Sequence, residues 1–87
     1  MDYVYTKFDN CFWVYSDMGD VCFLVEVAVE SMVEEAKEIA DREIGYWLNP
    51  EESPNPDYYE NAGYVAVVRD ALMKKNIYAD YYVMEEM

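Results

Sequence analysis

Carboxylates are the side chains of this sequence best suited to chemistry, since 19 Asp and Glu residues stand against 6 Lys and Arg and no His. A carboxyl group in a pocket can act as a general acid or base once its pKa is shifted. The absence of His excludes Ser-His-Asp and Cys-His catalytic groups and every His-ligated metal site. The clear carboxylate pairs of this chain fall on predicted solvent-facing surfaces. We therefore predict a protein that is not an enzyme and has no catalytic residue.

Metal, phosphate and thiol chemistry also lack a motif. An EF-hand loop needs acids at alternate positions around a central Gly, whereas residues 9–20 carry aromatic side chains between their terminal acids. Three glycines are too few for a phosphate-binding loop. Cys11 and Cys22 have a spacing that matches no metal or redox motif. We expect two packed thiols, no metal site and no cofactor, and keep an enzyme or a binder of Ca²⁺ or a small molecule as the third hypothesis.

The net charge restricts the partners. The formal charge is −13, of which the first sixty residues carry −12. Such a charge repels nucleic acid and anionic membranes and favours a basic protein surface. The first residues lack the basic region of a signal peptide, and no apolar run approaches the roughly 20 residues that span a bilayer. We therefore expect a cytoplasmic protein.

Three alternating segments predict an antiparallel meander, because side chains with a period of two belong to strands. A two-residue hairpin loop at Met18 and Gly19 also sets the register between the second and third strands. These strands are residues 3–8, 11–16 and 21–29, and the register pairs Tyr15 with Cys22, Val14 with Phe23, Trp13 with Leu24, and Phe12 with Val25.

Two helices and a last strand follow. Residues 31–48 place Val33, Ala36, Ala40, Ile44 and Trp47 on one stripe, and a capping box of Ser31 and Glu34 is predicted to begin this helix. We also expect Glu38 and Arg42 to form an ion pair one turn apart. The connector at 50–57 holds three prolines and is predicted to lack regular structure. A second capping box, Asp57 with Glu60, opens a helix at 58–75, with the alternative that the Val-rich segment from Tyr64 to Val68 forms a strand. Residues 77–84 alternate as a strand that joins the meander.

These elements predict an α+β fold with the order β-β-β-α-α-β in a single compact acidic domain, residues 1–87. Pairing puts apolar side chains on both faces of the sheet, and one layer of helices covers only one face. The second face carries Trp13, Tyr15 and Leu24, with Val4 and Phe8 from the first strand. We expect another element, a target protein or a second copy to cover it.

The acids themselves form the remaining candidate site. Along a helix, Glu34 and Glu38 lie about 6 Å apart, comparable to two phosphate steps of about 3.4 Å along one DNA strand. A row of carboxylates can thus stand where a nucleic-acid-binding protein expects phosphates. The predicted partner-binding residues are eight acids and two aromatic neighbours: Glu34, Glu35, Glu38, Asp41, Glu51, Glu52, Asp57, Glu60, Tyr58 and Tyr59. Trp47 is a third candidate anchor.

In length, acid-rich and Tyr-rich composition, absence of His, and strands beside acidic helices, the whole chain resembles the small acidic inhibitors of phages and mobile elements. These include DNA-mimic anti-restriction proteins and anti-CRISPR proteins. The resemblance implies a target class, a nuclease or other nucleic-acid-binding effector in the host cytoplasm, and no residue-level mechanism. The leading hypothesis is a non-enzymatic inhibitor of such an effector. The alternative is a structural or assembly module that homodimerises through Trp13, Tyr15 and Leu24.

Overall fold

A computed structural model describes residues 10–16 and 21–83 and gives the α+β fold that the sequence predicts. The predicted first strand at 3–8, with Val4 and Phe8, lies outside the described residues, as does Met84. The described helices and strands are β1 (Cys11–Tyr15), β2 (Cys22–Val27), α1 (Val33–Leu48), α2 (Pro56–Asn61), α3 (Tyr64–Lys74) and β3 (Ala79–Val83), with 3₁₀ turns at Glu30–Met32 and Pro50–Glu52.

The register predicted for β1 and β2 is confirmed at every pair. Phe12 lies opposite Val25, Trp13 opposite Leu24, Val14 opposite Phe23, and Tyr15 opposite Cys22. The prediction that the last strand joins the meander is also confirmed, because β3 pairs antiparallel with β2. The sheet order is β1-β2-β3, so β2 is the central strand of the described sheet.

Strand β2 ends at Val27, two residues earlier than predicted. Ala28 still donates its N–H to the carbonyl of Tyr78 at 2.8 Å, but Val29 is 48% exposed. The chain bends there and enters a 3₁₀ turn in which the Met32 N–H donates to the Val29 carbonyl at 3.0 Å. The alternation of valines in the sequence therefore extends to Val29, beyond Val27, the last residue of β2 that pairs in the sheet.

The core lies between one face of the sheet and the helices. Phe12, Val14, Phe23, Val25 and Val27 are buried on the sheet side. The predicted stripe of α1 supplies Ala36, Ala40 and Ile44, with Val33 and Trp47 partly buried, and α3 supplies Val67, Val68 and Leu72. The apolar face of the sheet, which has a period of two, thus packs against the apolar stripes of the helices, which have a period of 3.6.

Both predicted capping boxes are wrong. Helix α1 begins after Met32, which makes no side-chain cap, because Ser31 belongs to the preceding 3₁₀ turn. Helix α2 begins at Pro56, one residue before Asp57, and its N-cap Asn55 makes no side-chain cap either. Proline suits the first helical position because it lacks the N–H that would be unpaired there. It therefore starts α2, and another proline starts the 3₁₀ turn in the connector that was predicted to be irregular.

The predicted helix at 58–75 is two helices, because the chain is extended at Ala62 and Gly63. The indole N–H of Trp47 donates to the freed carbonyl of Ala62 at 2.8 Å, so a contact from α1 stabilises the break. At its other end α3 closes with Asn76 in the left-handed region at φ 62°. The N–H of Ile77 donates to the carbonyl of Leu72 at 2.9 Å, as in a Schellman motif, and this turn leads the chain towards β3.

Candidate functional site

The eight predicted partner-binding acids, called the acidic surface below, are all exposed. Glu34, Glu38 and Asp41 follow one another at helical spacing along α1, with Glu35 beside them. The 3₁₀ turn after α1 contributes Glu51 and Glu52, and α2 contributes Asp57 and Glu60. The acidic surface therefore comes from three consecutive elements of the helical layer.

No ion pair neutralises the acidic surface within residues 10–16 and 21–83. The predicted pair of Glu38 with Arg42 is wrong, because the Arg42 guanidinium lies 3.4 Å from the Oε2 atom of Glu43 instead. The second described pair, Arg69 with Asp70, belongs to α3. The exposed acids of α1 are consequently not engaged in an ion pair within the described residues.

Tyr59 was predicted as a partner-binding residue, but its side chain belongs to the core. It is 7% exposed, and its hydroxyl donates to the Oε1 atom of Glu43 at 2.6 Å. Its ring packs edge-on against Tyr58 with 4.9 Å between centroids, and it packs in a tilted arrangement against Tyr46 with 5.4 Å between centroids. Burial, followed by the hydrogen bond to Glu43, raises the pKa of Tyr59 well above its usual value of 10.0. This side chain is therefore not accessible to a partner.

Tyr58 and Trp47 are partly buried and already engaged. The Tyr58 hydroxyl donates to the Oδ2 atom of Asp70 at 3.1 Å, and burial followed by that hydrogen bond raises the pKa of Tyr58. Trp47 binds the Ala62 carbonyl and packs edge-on against Tyr64 at 5.5 Å. Both aromatic residues hold helices together through hydrogen bonds to Asp70 and to the Ala62 carbonyl.

The face of the sheet away from the core, called the outer face below, carries the second predicted site. Its central row is Trp13, Leu24 and Tyr82, which lie side by side on the three strands. Trp13 and Leu24 are partly buried, whereas Tyr15 is 68% and Tyr82 48% exposed. Tyr82 was not among the predicted residues, because only the register of β3 against β2 places it in this row.

The outer face is polar at the end away from Tyr15. There Cys11 lies across from Glu26, and Glu26 lies across from Asp80. The Tyr82 hydroxyl donates to the Oε1 atom of Glu26 at 3.2 Å, and this hydrogen bond raises the pKa of Tyr82. Cys11 and Cys22 are free thiols, and burial followed by the charge of Glu26 raises the pKa of Cys11. A thiol of raised pKa is a poor nucleophile near neutral pH.

A third region was missed in the sequence. Glu43 is 7% exposed and is the one buried charged residue in the described part of the chain. The signal was present in the spacing, since Glu43 follows Ile39 by four residues and Ala40 by three and so lies on the apolar stripe of α1. Its carboxyl group lines a cleft between α1, α2 and α3.

The described residues contain no group of three or more His, Cys, Asp or Glu side chains placed to hold a metal ion. Their helices are all too short or too polar to cross a bilayer. Comparison with protein-family models, with curated proteins and with solved structures finds no match for this chain. The function of this protein is therefore inferred from its own residues.

Proposed function

We propose that this protein is a non-enzymatic inhibitor that binds the basic nucleic-acid-binding surface of a host defence effector, in the manner of DNA-mimic and anti-CRISPR proteins. The observation that carries the proposal is the acidic surface, whose eight carboxylates are exposed and unpaired among the described residues. Nucleic-acid-binding grooves are lined by Lys and Arg, which bind the regularly spaced negative charges of the phosphates.

The spacing of these charges suits such a groove. From Glu34 to Asp41 the helix rises about 10 Å, and Glu38 lies between them on the same side. Helix α1 holds these carboxylates in order, so little conformational entropy is lost when a basic surface binds them. The remaining acids continue the negative charge beyond the C-terminus of α1.

Charge accelerates association and selects partners, whereas much of the affinity of an interface comes from a few apolar or aromatic side chains. Since Tyr59 is buried and Tyr58 engaged, another anchor is needed. Leu48 is 40% exposed in the last turn of α1. At 100° per residue it lies within about 40° of Glu34 around the helix. We assign Leu48 as the apolar contact at the end of the acidic row.

A competition experiment tests the proposal. Purified CRISPR and restriction nucleases are bound to fluorescently labelled DNA, and the protein is titrated in while anisotropy is recorded. We expect release of the DNA from at least one nuclease, with an inhibitory concentration that rises steeply between about 50 and 200 mM salt. The double variant E34Q/E38Q should raise that concentration about threefold to tenfold, because two contacts to basic residues are lost.

The matched control is E30Q/D80N, which also removes two exposed acids but lies outside the acidic surface. If this control weakened inhibition as much as E34Q/E38Q, total charge would be responsible and the assigned surface would be wrong. If the protein displaced DNA from none of the nucleases in the panel at low salt, this result would contradict the proposed function itself.

A second candidate function is an assembly module that homodimerises through the outer face. The observation in its favour is the aromatic and aliphatic row of Leu24 and Tyr82, with Tyr15 largely exposed beside it. Sedimentation across a range of concentrations should then show a dimer, and Leu24→Asp should convert it to a folded monomer. A wild-type protein that remains monomeric at the highest concentration would rule this candidate out.

A further inference from the structure

An open cleft lies between the three helices and is separate from the acidic surface and from the outer face. Its volume is about 620 Å³, within the range of roughly 300 to 1,000 Å³ typical of small-molecule sites. Its lining includes the apolar side chains of Ala71 and Met73 of α3, and Met73 is 54% exposed. The cleft is thus large enough for a metabolite-sized ligand and offers it an apolar wall.

Two carboxyl groups line the cleft, and each is oriented by a tyrosine. Glu43 accepts from the Tyr59 hydroxyl at 2.6 Å, and Asp70 accepts from the Tyr58 hydroxyl at 3.1 Å. Each carboxylate also has one arginine contact, from Arg42 at 3.4 Å and from Arg69 at 3.5 Å. A carboxylate has about four lone-pair sites, so both groups retain acceptor capacity for a ligand that donates hydrogen bonds.

Positive charge is concentrated around the same cleft. Arg42, Lys74 and Lys75 line it, and they are three of the five Lys and Arg side chains in the described residues. All three are exposed, and the two lysines follow each other at the C-terminal end of α3. Carboxylates and ammonium groups of opposite sign therefore occur together here, in contrast to the uniformly negative acidic surface.

We propose that this cleft binds a small zwitterion, an α-amino acid or short peptide with an aliphatic or aromatic side chain. The ligand's ammonium group would bind the free lone pairs of Glu43 and Asp70, and its carboxylate would bind Lys74 and Lys75. Its side chain would pack on Ala71 and Met73. A zwitterion has no net charge, so the field of a chain with charge −13 does not repel it as it would repel a simple anion.

The cleft and the acidic surface contain different charged residues, so this inference goes beyond the proposed function and does not depend on it. Inhibition of a nuclease could be absent while the cleft binds its ligand, and the reverse also holds. Binding assays on the isolated protein, without any nuclease, therefore test the cleft alone.

The test uses the full chain and compares complete ligands with their halves. L-leucine, L-phenylalanine and glycyl-leucine carry both charges, N-acetyl-leucine lacks the ammonium group, and leucinamide lacks the carboxylate. We expect at least one zwitterion to raise the melting temperature by about 5 °C or more at ten times its dissociation constant. Both half-ligands should bind at least tenfold more weakly by calorimetry. Absence of stabilisation by all three zwitterions at millimolar concentration, or equal binding of the half-ligands, would overturn the proposal.

Variants assign the two ends of the ligand. K74A/K75A should weaken the zwitterion about tenfold and leave leucinamide binding unchanged, whereas Asp70→Asn should weaken the zwitterion and leave N-acetyl-leucine unchanged. Asp70 is chosen because it is only partly buried, so its substitution is less disruptive to folding than that of Glu43. Lys37→Ala is the control, since it removes an exposed lysine of α1 outside the cleft. A loss of affinity in Lys37→Ala as large as that in K74A/K75A would show that the lysines act only through total charge, which would contradict the site.

Discussion

Glu38 and Glu43 have the same side chain and lie on the same helix, yet their environments are opposite. Glu38 is exposed and unpaired among the described residues, whereas Glu43 is 7% exposed and accepts a hydrogen bond from Tyr59 at 2.6 Å. Five residues rotate the helix by about 500°, which puts the two side chains about 140° apart. The number of acids in a sequence therefore does not say which acids are exposed to solvent and which are buried.

The comparison also separates binding from stability. An exposed carboxylate is well solvated, so its removal changes the free energy of unfolding little. A buried carboxylate has lost its water and depends on its hydrogen bonds, so its removal leaves other buried groups without partners. Four variants, ordered by decreasing effect on stability, test whether this distinction holds along the helical layer.

Glu43→Ala should lower the free energy of unfolding by about 2 to 4 kcal/mol, because it leaves the Tyr59 hydroxyl unpaired and opens a cavity. Glu38→Ala, the matched control on the exposed side of α1, should change it by no more than about 0.5 kcal/mol. Urea denaturation followed by circular dichroism measures both. Equal losses in the two variants would contradict the distinction between the two glutamates.

Tyr59→Phe should lower the free energy of unfolding by about 1.5 to 3 kcal/mol, the range for the loss of a hydrogen bond to a charged group. It should also change the alkaline dependence of stability. The pKa of Tyr59 is higher in the folded protein than its usual 10.0, so the folded state keeps this proton at pH values where the unfolded state loses it. The stabilisation is complete below pH 10 and declines as pH rises above it.

Because phenylalanine has no proton to lose, Tyr59→Phe should show a shallower fall in stability above pH 10 than the wild type. Thermal unfolding at several alkaline pH values measures the slope. Identical slopes would mean that Tyr59 does not hold its proton more tightly in the folded state than in the unfolded state.

Tyr58→Phe should cost about 0.5 to 1.5 kcal/mol, less than Tyr59→Phe. Its hydrogen bond to Asp70 is longer, at 3.1 Å, and both residues are only partly buried, so water can replace the lost donor. The same urea denaturation experiment ranks the two tyrosines. A larger loss for Tyr58 than for Tyr59 would reverse the order that burial predicts.

Glu38→Gln should raise the free energy of unfolding by about 0.2 to 0.5 kcal/mol at low salt, because it removes repulsion between Glu34 and Glu38 one turn apart. The gain should disappear at high salt, where exposed charges are screened. Melting temperatures at two salt concentrations measure it. If the gain persisted at high salt, its cause would be helix propensity and not charge repulsion.

The pairing of β1 with β2 shows what local pattern can predict. Strict alternation of apolar residues, together with one short loop, leaves a single register that puts Phe12, Val14, Phe23 and Val25 on one face, and that register is present. The stripe of α1 succeeds for the same reason, since a period of 3.6 selects one side of a helix. Both signals are local, and burial of the apolar face reinforces them.

The helix break shows where local pattern is insufficient. Residues 58–75 have no proline, and one glycine does not by itself end a helix. The chain leaves the helix at Ala62 because its carbonyl can bind the indole N–H of Trp47, which is 15 residues away in sequence. The capping predictions failed for a related reason, because neighbouring 3₁₀ turns and prolines began the helices in place of Ser31 and Asp57.

The candidate sites divide in the same way. Exposure of the acids on α1 follows from their position opposite the apolar stripe, so the sequence alone predicted it. Burial of Tyr59 did not follow from its sequence neighbours, because it required the carboxyl group of Glu43 on another helix to accept a hydrogen bond from its hydroxyl group. The cleft was also invisible, since its charged residues Arg42, Asp70, Lys74 and Lys75 come from two helices that meet only in the folded chain.

Composition and short repeating periods are enough to predict the charge, the α+β class, the strand register and the exposed side of α1. Folding was needed to establish which tyrosines are buried, where the second helix breaks and which side chains share the cleft. These features depend on hydrogen bonds and packing between residues far apart in sequence, and no local period encodes such contacts.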